Sequence, residues 1–433
     1  MSCYVQSNCN RFAVMINYSH HTSTVIQDRF IPLRESTLND CVFSYNLQGE
    51  KKANRLANIL PLRPNQLRFN RTKENVLIPN EEKDLDPFSG SNSFKIERQP
   101  IKMLEAPALM DDYYLSLVAW SRKNIIGVGL DETIYLFNFL SNSVMTHFAL
   151  NQTKKHDSFR DTRDSTSLYL CSLIYEDDGN SLAVGDSLGQ IHITDVERNK
   201  MVSSSFAHTN RIGSLHWQEN IIVSGSRDNT VRLFDVRQNT ANPIFTFAGH
   251  NQEICGLKLS PDNSYIASGG NDNRLLLWDI RKMKLMGVLG EHNAAVKALA
   301  WCPRKRSILV SGAGTADRKL RVFDTSKEEC ISISDTGSQV CNLSFDPEGE
   351  CLISTHGYSL NQLIVWNHSR NYDYFRKEDV LIAHKLRVLY LATSPCGKYA
   401  VTGAGDETIR VWGINRRFRR PQSCLGVGMF NIR

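Results

Sequence analysis

The chain has 433 residues, of which 41% are hydrophobic, and a formal net charge of +6 at pH 7. This length and composition indicate a globular protein with a large core, and the interspersed, nearly balanced charges argue against an extended nucleic-acid surface. Its apolar runs are too short to cross a membrane, and the N-terminus lacks the continuous apolar stretch of a signal peptide.

Residues 1–95 differ in character from the rest of the chain. They are rich in Asn, Ser, Arg and Lys, and their apolar residues form short clusters without a helical or strand period. Such a segment cannot bury enough apolar surface to fold alone, so we predict a mostly disordered N-terminal tail. Within it, "QDRFIPLR" (27–34) packs charged, aromatic and aliphatic side chains around a proline. This pattern favours a segment that folds on the surface of a partner.

The next segment, "FKIERQPIKMLEAPAL" (94–109), directly precedes a series of repeats. A ring of repeats leaves one strand edge unpaired unless the chain closes it, and an unpaired edge invites aggregation. We therefore expect this segment to add the outer strand of the last repeat, with Glu105 beside that repeat.

From about residue 115 the sequence repeats with a period near forty-five residues. The clearest copies are "SGSRDNTVRLFD" (224–235), "SGGNDNRLLLWD" (268–279), "SGAGTADRKLRVFD" (311–324) and "TGAGDETIRVWG" (402–413). Each copy carries an aspartate six residues before an aromatic residue, and a histidine lies upstream of each aspartate. The four pairs are His208 and Asp228, His250 and Asp272, His292 and Asp317, and His384 and Asp406. This is the pattern of WD repeats.

Three weaker copies surround Asp131, end at Asp195 and end at Asn367. In the last two, Leu188 and Leu360 occupy the aspartate position, so we expect those repeats to lack the usual bond from turn to histidine. Seven copies predict an all-β fold, a seven-bladed WD-repeat β-propeller over residues 96–415. The tail 1–95 precedes it, and a short basic tail, 416–433, follows it.

The recurring His and Asp residues could be read as catalytic groups. Because they recur in register, one pair per repeat, the structural interpretation is favoured: each pair holds a turn. We expect the glycine-rich motifs at Gly127 and Gly403 to lie in turns between strands rather than before a helix, so they do not indicate a phosphate site. Nucleophile-elbow, zinc-protease and Walker motifs are missing from the sequence, so we expect no catalytic residues and no enzyme activity.

Eleven cysteines are scattered along the chain without a Cys-x-x-Cys pair. This argues against a disulfide framework and a structural zinc site, and we expect neither a metal nor a cofactor. Unpaired cysteines are typical of a reducing compartment, which predicts a location in the nucleus and cytoplasm. The C-terminal arginines 416, 417, 419 and 420 fit either a solvated tail or a patch for nuclear import or an acidic partner.

With propeller and tails in place, residues 95–433 resemble one family closely: the fizzy and fizzy-related activators of the anaphase-promoting complex, a ubiquitin ligase. The resemblance rests on "MLEAPALMDDYYLSLVAWS", "SGGNDNRLLLWD", "HNAAVKALAWCP" and "STHGYSLNQLIVWN". "DRFIP", "SGGNDN", "VCNLSF" and "STHGYS" are more similar to the fizzy-related branch. "ANILPLRP" (57–64) only faintly resembles the fizzy-branch motif that engages the spindle checkpoint.

The resemblance implies how the tails work. "DRFIPLR" resembles the family's C-box, and the terminal Ile-Arg resembles its docking tail; both would bind tetratricopeptide-repeat subunits of the ligase. The matching residues are Asp28, Arg29, Phe30, Ile31, Pro32 and Arg34 in the C-box, and Ile432 and Arg433 at the chain end.

The resemblance also implies two sites for degrons, the short motifs that mark substrates such as cyclins and securin. The destruction box, Arg-x-x-Leu, would bind between the first and last blades, where Glu105 and Glu407 match the carboxylates for its arginine and Leu104 the wall for its leucine. The Lys-Glu-Asn box would bind across one face of the ring. Matching positions there are Asp112, Tyr113, Asn271, Asn273, Thr315, Gln339 and Arg387.

The function implied is that of a non-catalytic substrate-recognition activator of the ligase. The alternative is a general WD-repeat scaffold that does not bind the ligase. The first hundred residues contain neither Ser-Pro nor Thr-Pro, the sites of cyclin-dependent kinases. Phosphates beside the C-box would weaken docking, so their absence favours a variant that works while kinase activity is high, for instance in meiosis. The triplet 73–75, Lys-Glu-Asn, fits either chance or a self-degron.

Overall fold

The computed structural model describes residues 93–150, 168–238, 242–382 and 384–417. Residues 1–92 and 418–433, with the C-box and the terminal Ile-Arg, lie outside these ranges, and the roles expected of these two motifs stay predictions. Throughout the described ranges the regular structure is β-strand, and none of it is a helix that could span a membrane.

The strands group into seven antiparallel sheets, the blades of a propeller. In chain order they begin with β1 (Ser93–Ile96) and β2 (Lys102–Glu105). Blade 1 is β3 (Val118–Trp120), β4 (Ile125–Leu130), β5 (Thr133–Asn138) and β6 (Ser143–Ala149); blade 2 is β7 (Leu170–Tyr175), β8 (Ser181–Asp186), β9 (Gln190–Asp195) and β10 (Lys200–Phe206). Blade 3 is β11 (Ser214–Gln218), β12 (Ile221–Gly225), β13 (Thr230–Asp235) and β14 (Phe245–Ala248); blade 4 is β15 (Ile254–Leu259), β16 (Tyr265–Gly270), β17 (Leu275–Asp279) and β18 (Lys284–Val288). Blade 5 is β19 (Val296–Trp301), β20 (Ile308–Ala313), β21 (Lys319–Asp324) and β22 (Glu329–Asp335); blade 6 is β23 (Val340–Phe345), β24 (Leu352–His356), β25 (Gln362–His368) and β26 (Phe375–Ile382); blade 7 contains β27 (Val388–Thr393), β28 (Tyr399–Ala404) and β29 (Thr408–Arg417).

The blades form a closed ring. The first strand of each blade contacts the first strand of the next, from β3 through β7, β11, β15, β19, β23 and β27 back to β3. These inner strands surround a central channel. The prediction of a seven-bladed propeller is therefore confirmed, with strands from Ser93 to Arg417 where the sequence predicted a domain from 96 to 415.

Closure comes from the segment before blade 1, as predicted. Strand β29 pairs with β28 on one side; on the other it pairs with β2 through Thr408–Val411 and with β1 through Ile414–Arg417. The register sets Leu104 opposite Ile409 and Glu105 opposite Thr408. Blade 7 thus gains its outer strand from the other end of the fold, which removes the open edge.

Burial follows the position of a strand within its blade. The third strand of blade 4, "LLLWD", is buried at every position because neighbouring blades cover both of its faces. The outer strand of blade 5, "ECISISD", instead alternates exposed and half-buried residues over its second half. Continuous apolar runs in the sequence therefore indicate strands within a blade, and alternating runs indicate the outer strands.

The predicted pairs of histidine and aspartate are structural. In blade 4, His250 Nδ1 lies 3.1 Å from the Asp272 carboxylate, and its Nε2 lies 2.8 Å from Ser268 Oγ. The same Oγ accepts a hydrogen bond of 2.8 Å from Trp278 Nε1. The equivalent pairs form in blades 3, 5 and 7, so each pair fastens a turn to the blade's central strands.

Blades 2 and 6 depart from this pattern at Leu188 and Leu360, as expected. In blade 2 the carboxylate comes from Asp186, two residues earlier, which accepts the Leu188 backbone N–H at 2.9 Å and contacts His192 Nε2 at 3.1 Å. The histidine of this pair, His192, therefore lies on the third strand of blade 2, whereas His250 precedes the first strand of blade 4. In blade 6, Trp366 Nε1 and His356 Nε2 both contact Ser354 Oγ, at 2.7 Å each, without an aspartate.

Candidate functional site

One face of the ring is spanned by the segment between β2 and β3. Tyr113 Oη donates to the backbone carbonyls of Val340 and Ala295, at 3.1 and 3.3 Å, at the start of blades 6 and 5. The next residue, Tyr114, donates from its Oη to Asn271 Oδ1 of blade 4 at 2.9 Å. We call residues 111–115 the bridging segment, because its bonds reach blades on the far side of the channel.

The residues predicted for the Lys-Glu-Asn box gather at this face. Asn271, Asn273 and Thr315 lie between the second and third strands of blades 4 and 5, whereas Gln339 and Arg387 directly precede the first strands of blades 6 and 7. In antiparallel blades these two kinds of connection share one end of the sheet. The structure therefore brings all these residues, with Asp112 and Tyr113 of the bridging segment, to one face of the ring. The binding role itself stays a prediction.

Asp112 is part of a buried charge network. Its carboxylate accepts a bond of 2.8 Å from Arg211 Nη1, while Arg211 also binds both oxygens of Glu253, at 2.7 and 2.9 Å. Burial lowers the pKa of Arg211, but the bond to Glu253 and the charges of Asp112 and Glu253 outweigh this and raise it. Arg211 and Glu253 were missed from the sequence, because nothing in their spacing ties them to Asp112.

Arg387 is held in a similar way. Its Nε lies 3.1 Å from Asp111 Oδ1, its Nη2 donates to the Asp111 carbonyl at 2.8 Å, and its guanidinium lies 5.6 Å from the centre of the Tyr358 ring. The side chain is only 4% exposed. The structure thus presents a positive charge with fixed orientation at the rim of the channel.

Two amides at this face offer unused acceptors. Gln339 is 2% exposed, and its Oε1 has no hydrogen-bond partner among the described residues; the same holds for Oδ1 of Asn273. Asn273 adopts a positive φ of 63°, which fits the turn chemistry that asparagine tolerates. Buried acceptors without partners are costly, so these oxygens favour a ligand that brings donors. Tyr113, in contrast, is 1% exposed and its hydroxyl is engaged, so it supports the site from beneath.

The residues predicted for the destruction box lie where β2 meets blade 7. The Ala106 backbone N–H donates to the Glu407 carbonyl at 2.8 Å, and Glu105 pairs with the next residue, Thr408. Both glutamates are exposed, and Leu104 is half-buried against the core. The strand pairing therefore brings the two carboxylate-bearing residues, 302 positions apart in the chain (407 minus 105), to neighbouring places.

This edge also contacts blade 1. Lys102 Nζ donates to the Phe139 carbonyl at 2.7 Å and lies 4.1 Å from the centre of the Phe139 ring and 5.4 Å from that of Phe137. The glutamates thus lie beside a contact between the last and first blades, and their role in binding a destruction box stays a prediction. Lys102 was missed, although its place in β2, two residues before Leu104, could have indicated it.

The described residues contain no group of three or more His, Cys, Asp or Glu side chains that could hold a metal ion. The chemistry available at both sites is recognition by charge and hydrogen bonding.

Comparison with known proteins identifies relatives of the whole propeller. The family model described as the CDC20/Fizzy WD40 domain matches residues 104–412. The B-type cell cycle switch protein ccs52A of Medicago truncatula is 38% identical over 446 residues, which cover 94% of this chain and 89% of that protein. The anaphase-promoting complex subunit cdc20 of Dictyostelium discoideum is 39% identical, over 74% of this chain and 61% of that protein. The meiotic fizzy-related protein 1 of Schizosaccharomyces pombe is 38% identical, over 76% and 73%.

A solved structure also matches this chain. A chain in the crystal structure of a mitotic checkpoint complex superposes with a TM-score of 0.67 at 35% sequence identity, covering 73% of this chain and 94% of that one.

Proposed function

Since the chain belongs to the CDC20/Fizzy family, and fizzy-related proteins are among its relatives, we propose that it is a substrate-recognition activator of the anaphase-promoting complex. In this role it binds degrons on cell-cycle proteins and brings them to the ligase, which transfers ubiquitin. The chain itself is not catalytic. Its contribution is proximity: a tethered substrate reaches an effective concentration of about millimolar near the ligase.

The observation that carries the proposal is the pairing of β2 with β29. It brings the backbones of the exposed residues Glu105 and Glu407 to adjacent positions of the pairing, at the contact between blades 7 and 1. Two carboxylates can bind a guanidinium from two sides through charge-assisted hydrogen bonds. Leu104 lies two residues after Lys102 and is half-buried. It offers an apolar surface for the leucine of a destruction box.

The bridging segment supports a second degron site. Arg387 suits the glutamate of a Lys-Glu-Asn box by charge, and the unpartnered oxygens of Gln339 and Asn273 suit donors from its lysine or asparagine. Hydrogen bonds of Tyr113, and the bond between Asp112 and Arg211, hold the bridging segment in a fixed position at this site. A rigid site loses less conformational entropy on binding.

The decisive experiment is degron-dependent ubiquitination of a cyclin fragment by the purified ligase with this protein added. Replacing both Glu105 and Glu407 by Gln keeps the size but removes the charge, and we expect about a ten-fold or greater loss of ubiquitination. The matched control is Glu329→Gln on the exposed outer strand of blade 5, which should leave the rate unchanged. Full activity of the double variant would refute the proposed destruction-box site.

A scaffold that does not bind the ligase is separated from an activator by the tails. We propose that the C-box and the terminal Ile-Arg each bind tetratricopeptide-repeat subunits of the ligase. Deleting Arg433 and changing Arg29→Ala together should abolish capture of the ligase by the purified protein. If capture survives both changes, the protein acts as a scaffold of another kind.

We further propose that the protein works in the nucleus and cytoplasm and is specialised for meiosis. The absence of Ser-Pro and Thr-Pro from residues 1–100 supports the second point, because it removes the usual sites for inhibitory phosphorylation beside the C-box.

A further inference from the structure

A cavity lies in the central channel. Its volume is about 720 Å³, within the range of small-molecule sites. Inner strands of all seven blades line it, together with residues of the turns between first and second strands, such as Arg122, Asp177 and Pro395. These turns lie at the opposite end of the blades from the bridging segment, so the cavity belongs to the other face of the ring.

One layer of side chains determines the chemistry of this cavity. The pairing of first and second strands gives seven equivalent positions, one from each blade: Ala119, Ile174, His216, Lys258, Ala300, Ser344 and Ala392. Four of the seven carry small side chains, which leaves the channel wide at this level. Two neighbouring blades instead supply the basic side chains of His216 and Lys258, and both line the cavity.

Each basic side chain keeps a polar group that the protein does not engage. Among the described residues, Lys258 has no ion-pair partner and its ammonium makes no hydrogen bond, and His216 Nδ1 is buried without a partner. Lys297, which lines the same channel nearer to the bridging segment, differs from Lys258 in this respect. Its ammonium donates to the carbonyls of Leu115 and Leu389 at 2.8 and 3.4 Å. Lys258 therefore presents a charge to the cavity that the fold does not use.

The electrostatics support an anionic ligand. Burial lowers the pKa of Lys258, and burial together with the nearby charge of Lys258 lowers the pKa of His216 to about 3, against a smaller opposing effect of Gln218. Both directions mean that uncompensated positive charge is costly at this place. An anion bound between the two side chains would offset that cost. The hydroxyls of Ser344 and Thr393, which lie 3.1 Å apart on the same wall and also contact the Phe345 carbonyl, add polar groups to the cavity.

We propose that the cavity on this face binds phosphate or a small phosphate ester, with Lys258 as the charged contact and His216 and Ser344 as hydrogen-bonding partners. The ester would place its organic part against the leucines that also line the cavity, such as Leu257 and Leu343. Such a ligand would join blades 3, 4 and 6 at the channel and would leave the degron sites on the opposite face free.

The test uses the full-length protein, isothermal titration calorimetry and two probes, inorganic phosphate and phosphoserine, at matched ionic strength. We expect saturable binding, and Lys258→Ala should weaken it by about ten-fold or more. This variant introduces the residue that blades 1, 5 and 7 already carry at the equivalent position, so it should fold. Lys284→Ala, on the exposed outer strand of blade 4, is the matched control and should bind like the wild type.

The two probes distinguish the source of the ligand. Tighter binding of phosphoserine than of phosphate indicates a phosphate ester, whereas equal binding indicates the free ion; both outcomes support the site. Binding that does not saturate, or that Lys258→Ala leaves unchanged while the variant keeps the wild-type melting temperature, overturns the proposal.

Discussion

At the scale of single residues, the propeller depends on buried polar groups that are paired across turns. Burial alone would raise the pKa of Asp228, but hydrogen bonds from His208 and Thr230 outweigh it and hold the pKa below its ordinary value. The same balance lowers the pKa of Asp317 and Asp406. A carboxylate that is more acidic in the folded than in the unfolded state stabilises the fold as long as it is ionised.

Replacing Asp228 by Asn should reduce the free energy of unfolding by about 1–3 kcal/mol at pH 7, because the buried histidine loses its charged partner. Since the folded pKa lies below the unfolded value of 3.8, this stabilisation is complete above about pH 4 and is lost as the pH falls further. Urea denaturation at pH 7, 5 and 3.5 measures it. The control is Asp178→Asn on an exposed turn. A difference that grows on acidification would contradict the model of an ionised pair.

Lys297 makes the opposite kind of contribution. Burial lowers its pKa from 10.5 to about 8, despite the two carbonyls that its ammonium contacts. Between these two pH values the unfolded chain binds the proton and the folded chain releases it, so the contribution of Lys297 to stability rises with pH. The difference in free energy of unfolding between wild type and Lys297→Met should therefore increase, in favour of the wild type, from pH 8 to pH 10. Urea denaturation across this range tests the sign, and a difference that stays constant from pH 8 to pH 10 would show that Lys297 stays charged in the folded protein.

At the scale of secondary-structure elements, ring closure depends on β1 and β2. These two short strands cover the free edge of β29, the longest described strand, along most of its length. Closure by strands from the other end of the chain stabilises the ring, because the ring can open only if the backbone hydrogen bonds of these strands break. The same pairing builds the proposed destruction-box site, so stability and recognition share one element.

A protein that begins at residue 106 should be less stable than one that begins at residue 93. The shorter protein lacks both strands and leaves the edge of blade 7 open. We expect its melting temperature to be lower by about 5 °C or more, and we expect aggregation through the exposed edge. Differential scanning calorimetry and light scattering of the two proteins measure these effects. Equal melting temperatures would mean that β1 and β2 do not close the ring in solution.

At the scale of the whole molecule, the propeller separates three surfaces. The bridging segment occupies one face, the β2 edge lies at the contact between blades 7 and 1, and the cavity proposed to bind phosphate belongs to the opposite face. The tails leave the propeller from blade 7, because β1 and the end of β29 pair with each other. The segments proposed to dock on the ligase therefore start from the side of the ring that holds the proposed destruction-box site.

Treatment with a cyclin-dependent kinase should leave binding of the protein to the ligase unchanged. The reason is the lack of Ser-Pro and Thr-Pro in residues 1–100, where added phosphates would oppose docking of the C-box. The measurement is capture of the ligase before and after treatment. A variant with a new site, Leu38→Pro, which creates Thr-Pro after the C-box, is the matched positive control and should lose binding once phosphorylated. A large loss of ligase capture by the wild-type protein after kinase treatment would contradict the proposal of meiotic specialisation.

The sequence by itself determined the propeller, the number of blades, the structural role of the histidine and aspartate pairs and the origin of the closing strand. Each of these follows from a pattern that repeats in register, such as His250 with Asp272, or from the need to cover one open edge. It also predicted residues for two degron sites, although only through resemblance.

Only the tertiary structure decided which of those residues are available to a ligand. Asp112 is already bound by Arg211, and Tyr113 is buried, whereas Gln339 keeps an unused acceptor. Likewise Lys258 and His216 lie in different repeats, and their meeting in one layer of the channel depends on ring closure and strand register. Contacts between distant segments carry no local periodicity, so the residues that form them leave no signal in the sequence until the fold brings them together.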